Sequence, residues 1–71
     1  MKKQALIRDM KSFVDGSFIN KSQIRKYYHR GKSYTDTLLK NVDYELNGKT
    51  KIYYVPDVVE AFMQNVIRGR S

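Results

Sequence analysis

Five basic residues, Lys21, Arg25, Lys26, Arg30 and Lys32, stand within twelve positions of the chain with no acid among them. A cation left unpaired in an apolar interior costs several kcal/mol or more. This stretch therefore cannot be core on all sides: it buries Ile24, Tyr27 and Tyr28 at most and shows its charge to water or to a polyanion. Residues 55–67 have the opposite character, with Asp57 and Glu60 as their only charges among mostly apolar side chains. Charge is segregated along the sequence. A basic face in three dimensions is expected, which is the electrostatic footprint of nucleic-acid binding.

The chain has 71 residues, which is one domain, 1–71, with a thin core. A chain this short buries only ~60% of its unfolded surface. Fourteen Lys and Arg against seven Asp and Glu give a net charge of +7, which favours a phosphate backbone or an anionic membrane over an acidic protein partner. Without cysteine there is no disulfide framework and no thiolate metal site. That agrees with a cytoplasmic location. After Met1-Lys2-Lys3 the apolar run Ala5-Leu6-Ile7 is cut by Arg8 and Asp9, so neither an export signal nor a membrane span is expected.

Apolar residues at Leu6, Ile7, Met10, Phe13 and Val14 predict a short first helix that stops at Gly16. Asn20 with Gln23 three residues later is a capping-box pattern, and Ile19 is placed to pack on Ile24 as a hydrophobic staple. The second helix then runs to about Arg30 and ends at Gly31. A third helix is capped by Ser33, with Asp36 completing a capping box, or by Thr35, and turns Leu38, Leu39 and Val42 inward. Asn47-Gly48 accepts the positive φ values of a type I′ turn, which predicts a hairpin tipped by Lys49 and Lys51. Pro56 ends its second strand. Asp57 and Glu60 then form another capping pair for a last helix with inward Val58, Val59, Phe62, Met63, Val66 and Ile67, and Gly69 and Arg70 form a frayed tail.

The expected fold is mainly α with a small β-hairpin: a winged helix-turn-helix flanked by N- and C-terminal helices. Residues 18–63, about two thirds of the chain, resemble the small excisionase and MerR-type winged-helix domains of phages and other mobile elements. The resemblance is carried by residues 20–28 as first helix, Gly31-Lys32-Ser33 as turn and Asn47-Gly48-Lys49 as wing. Lys51-Ile52-Tyr53-Tyr54-Val55-Pro56, with Val59, Ala61 and Phe62 after it, completes it. The turn departs from the family pattern in being longer and more polar, with Lys32 at an apolar position. The resemblance implies architectural binding of duplex DNA, the second helix of the motif in the major groove and the wing on a neighbouring groove or backbone. It also implies no chemistry of the chain's own, and a tyrosine integrase, or copies of the chain along DNA, as further partners.

Read from the residues, phosphate contacts fall to Lys21, Arg25, Lys26, Lys49 and Lys51. Base readout falls to Tyr34, Thr35, Thr37, Lys40 and Asn41, the last able to pair bidentately with adenine. Arg30, Lys32 and Ser33 complete the expected DNA-binding residues. Capping explains Thr35 and Thr37 equally well, and packing explains Tyr34. No catalytic residue, metal ligand or cofactor is expected. His29 is the only histidine and sits among cations as a surface residue near phosphates. Asp43 and Glu45 share a solvated strand face, and Tyr27, Tyr53 and Tyr54 are core aromatics with wet hydroxyls. The rival is a protein-interaction module that modulates an integrase, repressor or host protein through the aromatic wing or last helix.

Overall fold

The computed structural model describes the backbone of residues 3–69 and the side chains of residues 3–64. It is mostly helical with one small antiparallel sheet, in the order α1 (Lys3–Val14), β1 (Phe18–Asn20), α2 (Lys21–Tyr28), α3 (Lys32–Leu38), β2 (Glu45–Asn47), β3 (Thr50–Tyr54) and α4 (Val55–Gly69). Among the described residues no helix is long and apolar enough to cross a membrane.

The amphipathic spacing of α1 places Met10 fully inside, with Leu6, Ile7 and Val14 packed at the core margin. Phe13, expected on that stripe, is 48% exposed and instead meets the edge of Tyr27 at 5.2 Å between ring centroids. The helix stops one residue earlier than Gly16 predicts. Asp15 takes the left-handed conformation (φ 54°), and the Gly16 N–H donates back to the Lys11 carbonyl at 3.1 Å, the geometry of a Schellman cap.

The strand β1 was not expected, and the sheet is therefore three-stranded and not a lone hairpin. Its order is β1-β3-β2, with Phe18 opposite Tyr54, Ile19 opposite Tyr53 and Asn20 opposite Ile52. Successive side chains point to opposite faces. Ile19 and Tyr53 accordingly enter the core while Phe18 and Tyr54 share the outer face. Tyr54 is thus an exposed aromatic, not a core one.

Asn20 ends β1 and caps α2 in the same stroke. Its side chain accepts from the Gln23 N–H at 2.9 Å, and the Gln23 side chain accepts from the Asn20 N–H at 3.0 Å. The expected capping box is complete, and Ile19 and Ile24 are both fully buried, as a staple requires. The helix ends at Tyr28, short of Arg30, with His29 and not Gly31 in the left-handed position (φ 55°) and the Arg30 N–H on the Arg25 carbonyl. Gly31 has extended backbone and caps α3, in place of Ser33 or Thr35. With that earlier start, α3 ends at Leu38, and Lys40 and Asn41 stand in the turn beyond it.

The hairpin forms where Asn47-Gly48 predicts it, with Asn47 paired to Thr50. Of its two loop residues only Gly48 has positive φ (67°). One positive φ, at the first central position, is the type II′ pattern and not type I′. The first strand begins at Glu45, so Asp43 lies in the preceding loop. At the other end α4 starts at Val55 directly from β3, which places Asp57 inside its first turn instead of at a cap. The Val55 N–H donates to the Ser17 carbonyl at 2.8 Å and extends the β1–β3 pairing by one bond.

The core consists of Met10, Ile19, Ile24, Leu38, Leu39, Tyr53, Val55, Val58 and Val59. α1 lies against α4, α2 and β1, and α3 bridges α2 and α4. Phe62, expected as a core anchor, is half-buried and stacked on Tyr28 at 4.6 Å. Val66 and Ile67 lie outside the described side chains, and Arg70 outside the described residues.

An L-residue in the left-handed region is strained by roughly 1 kcal/mol relative to glycine. Asp15→Gly should therefore raise the stability of the domain by up to about 1 kcal/mol, read from chemical denaturation. A destabilised Asp15→Gly variant would mean that the Asp15 side chain supports the turn in a way the backbone geometry does not require.

Candidate nucleic-acid interface

The expected cations fall on three pieces of the structure. Arg25 and Lys26 are exposed in the last turn of α2, where positive charge is favoured by the carbonyl end of the helix. Arg30 and Lys32 flank Gly31 at the junction of α2 and α3. Lys49 and Lys51 are exposed at the end of the hairpin, where every residue of β2 is exposed as well. Lys51 holds its ammonium 4.7 Å above the Tyr44 ring, a contact that orients the lysine while leaving its charge available.

Three of the expected contact residues have other duties. Lys21 donates to Asp36 at 3.1 Å and so ties the first turn of α2 to α3; both side chains are more than two-fifths exposed. Such a pair contributes little stability in water and partly neutralises Lys21. Tyr34 is half-buried beside Tyr28, and the Arg30 guanidinium lies 5.2 Å over its ring. It is a platform that holds Arg30. Thr35, expected to read bases, has no exposed surface, and its hydroxyl donates to the Gly31 carbonyl at 3.1 Å. That burial removes Thr35 from any interface.

On α3, Lys32, Ser33, Asp36 and Thr37 remain on the exposed side, with Lys40 exposed just after the helix. Thr37 and Asn41 border a cleft between α3 and α4 that also contains Asp43, Asp57 and Glu60. The acids make the Asn41 end of this surface unfavourable to phosphate. The exposed cations of this region are Arg25 and Lys26 on α2, Arg30 and Lys32 at the junction and Lys40 after α3, with Ser33, Asp36 and Thr37 exposed between them on α3.

Behind the cations runs an aromatic series that sequence reading did not resolve. Tyr28 packs edge-on to Tyr27 at 4.9 Å and flat on Phe62, and burial drives its phenol well above the usual range, with neighbouring Tyr27 and Tyr34 adding to the shift. The Tyr27 hydroxyl donates to the Asp9 carboxylate of α1. Burial, then that hydrogen bond and the negative charge of Asp9, pushes Tyr27 up to about 12. The tyrosines of α2 thus lock the cation-bearing helix onto α1 and α4. The repeated Tyr27-Tyr28 spacing was the only signal of this.

Compared with known proteins, the chain matches no protein-family model, no curated protein and no solved structure.

Tyr27 gives a signed prediction. A free phenol ionises near ~10, whereas Tyr27 in the folded protein holds its proton to about 12. The stabilisation is fully present below the unfolded value and is lost as pH rises through the folded one. Denaturant midpoints should fall across that alkaline window, and less steeply in Asp9→Asn, whose tyrosinate absorbance should also appear at lower pH. Identical titrations of the two proteins would show that Asp9 does not hold the phenol.

Proposed function

We propose that this chain is a winged helix-turn-helix protein that binds duplex DNA sequence-specifically, as an excisionase-like architectural factor or a small transcriptional regulator. The observation that carries the proposal is the acid-free cationic run, set on the exposed side of α2 and on the tight junction into α3. A helix pair joined by His29, Arg30 and Gly31, followed by a hairpin with lysines at its end, supports the winged form. So does a sheet in which β1, ahead of the helix pair, joins the hairpin in the order β1-β3-β2.

In this scheme Arg25, Lys26, Arg30 and Lys32 neutralise phosphates at one groove edge, and Lys49 and Lys51 reach the backbone or the degenerate minor groove. α3 enters the major groove with Ser33 and Thr37 toward base edges and Lys40 at its far end. Lys21 joins only if it exchanges Asp36 for phosphate. The protein performs no catalysis, works in the cytoplasm, and acts beside a tyrosine integrase or with further copies of itself on DNA.

Neutralising five or six phosphates gives a slope of log K against log salt of about −5. Mobility shifts on duplex DNA should show that slope, and Lys49→Ala or Lys51→Ala should weaken cognate and random duplex alike while reducing the slope by ~0.9. Thr37→Ala should instead cost ~1 to 3 kcal/mol on a cognate site obtained by selection and little on random duplex. A flat salt response would overturn the proposal. Loss of sequence preference in Lys49→Ala but not in Thr37→Ala would make the hairpin the reader.

A further inference from the structure

Among the described residues, the aromatic side chains of the outer sheet face are left largely open. Phe18 of β1 and Tyr54 of β3 sit opposite each other there, 5.6 Å between ring centroids, and are 42% and 44% exposed. Ile52 lies on the same face, and Asp43, Glu45 and Asp57 border the depression that these side chains form. Asp43 and Asp57 also line the cleft between α3 and α4, so the two hollows share these acids.

The charge here is opposite to that of the rest of the molecule. Although the chain carries +7 overall, none of Asp43, Glu45 and Asp57 has an ion-pair partner among the described residues. The three carboxylates are exposed and lie around the aromatic pair, so this face is locally acidic in a chain with twice as many cations as acids. Exposed aromatic clusters with a charged rim mark sites of protein contact. A nucleic acid is repelled by the rim, and an apolar membrane surface does not compensate it.

We propose that this face is a docking site for a basic, apolar segment of a partner protein, its Lys or Arg side chains on Asp43, Glu45 and Asp57 and an apolar side chain between Phe18 and Tyr54. Charge complementarity selects the partner: the carboxylates demand cations, and the rings demand an apolar residue among them. The site is independent of the duplex-binding surface. The cations of α2 lie on another element, and Lys51, although on β3 with Ile52 and Tyr54, points to the opposite face of that strand, so one chain can hold DNA and a basic protein segment at once.

The test uses the full chain and three labelled peptides of equal length, alternating lysine with valine, glutamate with valine, and lysine with serine. Fluorescence anisotropy should show the lysine–valine peptide binding at least about tenfold more tightly than either control, since one control reverses the charge and the other removes the apolar anchor. The double variant Asp43→Lys/Glu45→Lys, and separately Tyr54→Ser, should each weaken that peptide by about tenfold or more. Both substitutions are at exposed positions, and circular dichroism melts confirm their folding. The double variant Arg25→Ala/Lys26→Ala, altered on the duplex-binding helix, should leave peptide binding unchanged. Equal binding of the glutamate peptide, no binding of the lysine–valine peptide, loss of peptide binding in folded Arg25→Ala/Lys26→Ala, or folded Asp43→Lys/Glu45→Lys and Tyr54→Ser variants with parental affinity would each overturn the docking site. Mobility shifts on the same samples keep the two proposals apart, because loss of peptide binding with DNA binding intact removes only this one.

Discussion

Six residues of antiparallel strand hold this fold together. β1 pairs with the end of β3, and each of those strands passes without a linker into a helix: Asn20 is both the last residue of β1 and the cap of α2, and Val55 follows Tyr54 directly into α4. The pairing therefore sets where two helices begin. The Ser17–Val55 hydrogen bond closes it, and Ile19, Tyr53 and Val55 drive its inner face into the core beside Ile24 and Val58. Loop-closure entropy opposes a contact so distant in sequence, and burial of these side chains is what offsets it. Removing the pairing would release the orientation of α2, and with it the cations that α2 displays.

The second consequence is a division of charge. Because Ile24, Tyr27 and Tyr28 take the inward side of α2, Arg25 and Lys26 are left outward, and the Schellman turn at His29 carries Arg30 and Lys32 around the corner. Four of the seven acids, Asp43, Glu45, Asp57 and Glu60, lie in the loop before β2, in β2 and in the first turns of α4, where Asp57 also complements the helix amide end, while Asp36 stays on α3 paired with Lys21. A small domain with little core to spare has few ways to bury charge, so it sorts it over its surface. One surface suits phosphate and the other repels it.

Local chemistry was legible in the sequence. Asn20 with Gln23 forms the capping box its spacing encodes, Asn47-Gly48 gives a hairpin although of type II′, and of the apolar stripe Val58 and Val59 are buried while Phe62 is half-buried. The misses are non-local. β1 is three residues long, too short for alternation to be seen, and becomes a strand only because Tyr53 and Tyr54 arrive beside it. The start of α3 at Gly31 carries no side-chain cap to announce it, and that start, through the Thr35 hydroxyl on the Gly31 carbonyl, buries a residue that an N-terminus at Ser33 or Thr35 would expose. The Lys21–Asp36 pair spans two helices and has no signature in spacing. Of the candidate site, the cationic run was readable as composition, while which members stay unpaired was a property of the packing.

In the function proposed above, the α2–α3 junction and the hairpin end form one surface for duplex DNA. Amide chemical-shift mapping during titration with a short duplex at low salt tests it directly, because it locates the contact residue by residue. The largest changes should fall on Arg25, Lys26, Arg30, Lys32, Ser33, Thr37, Lys49 and Lys51, with Phe18, Asp43, Glu45 and Tyr54 unmoved. Changes concentrated on those last four residues, or none at any duplex concentration, would contradict it.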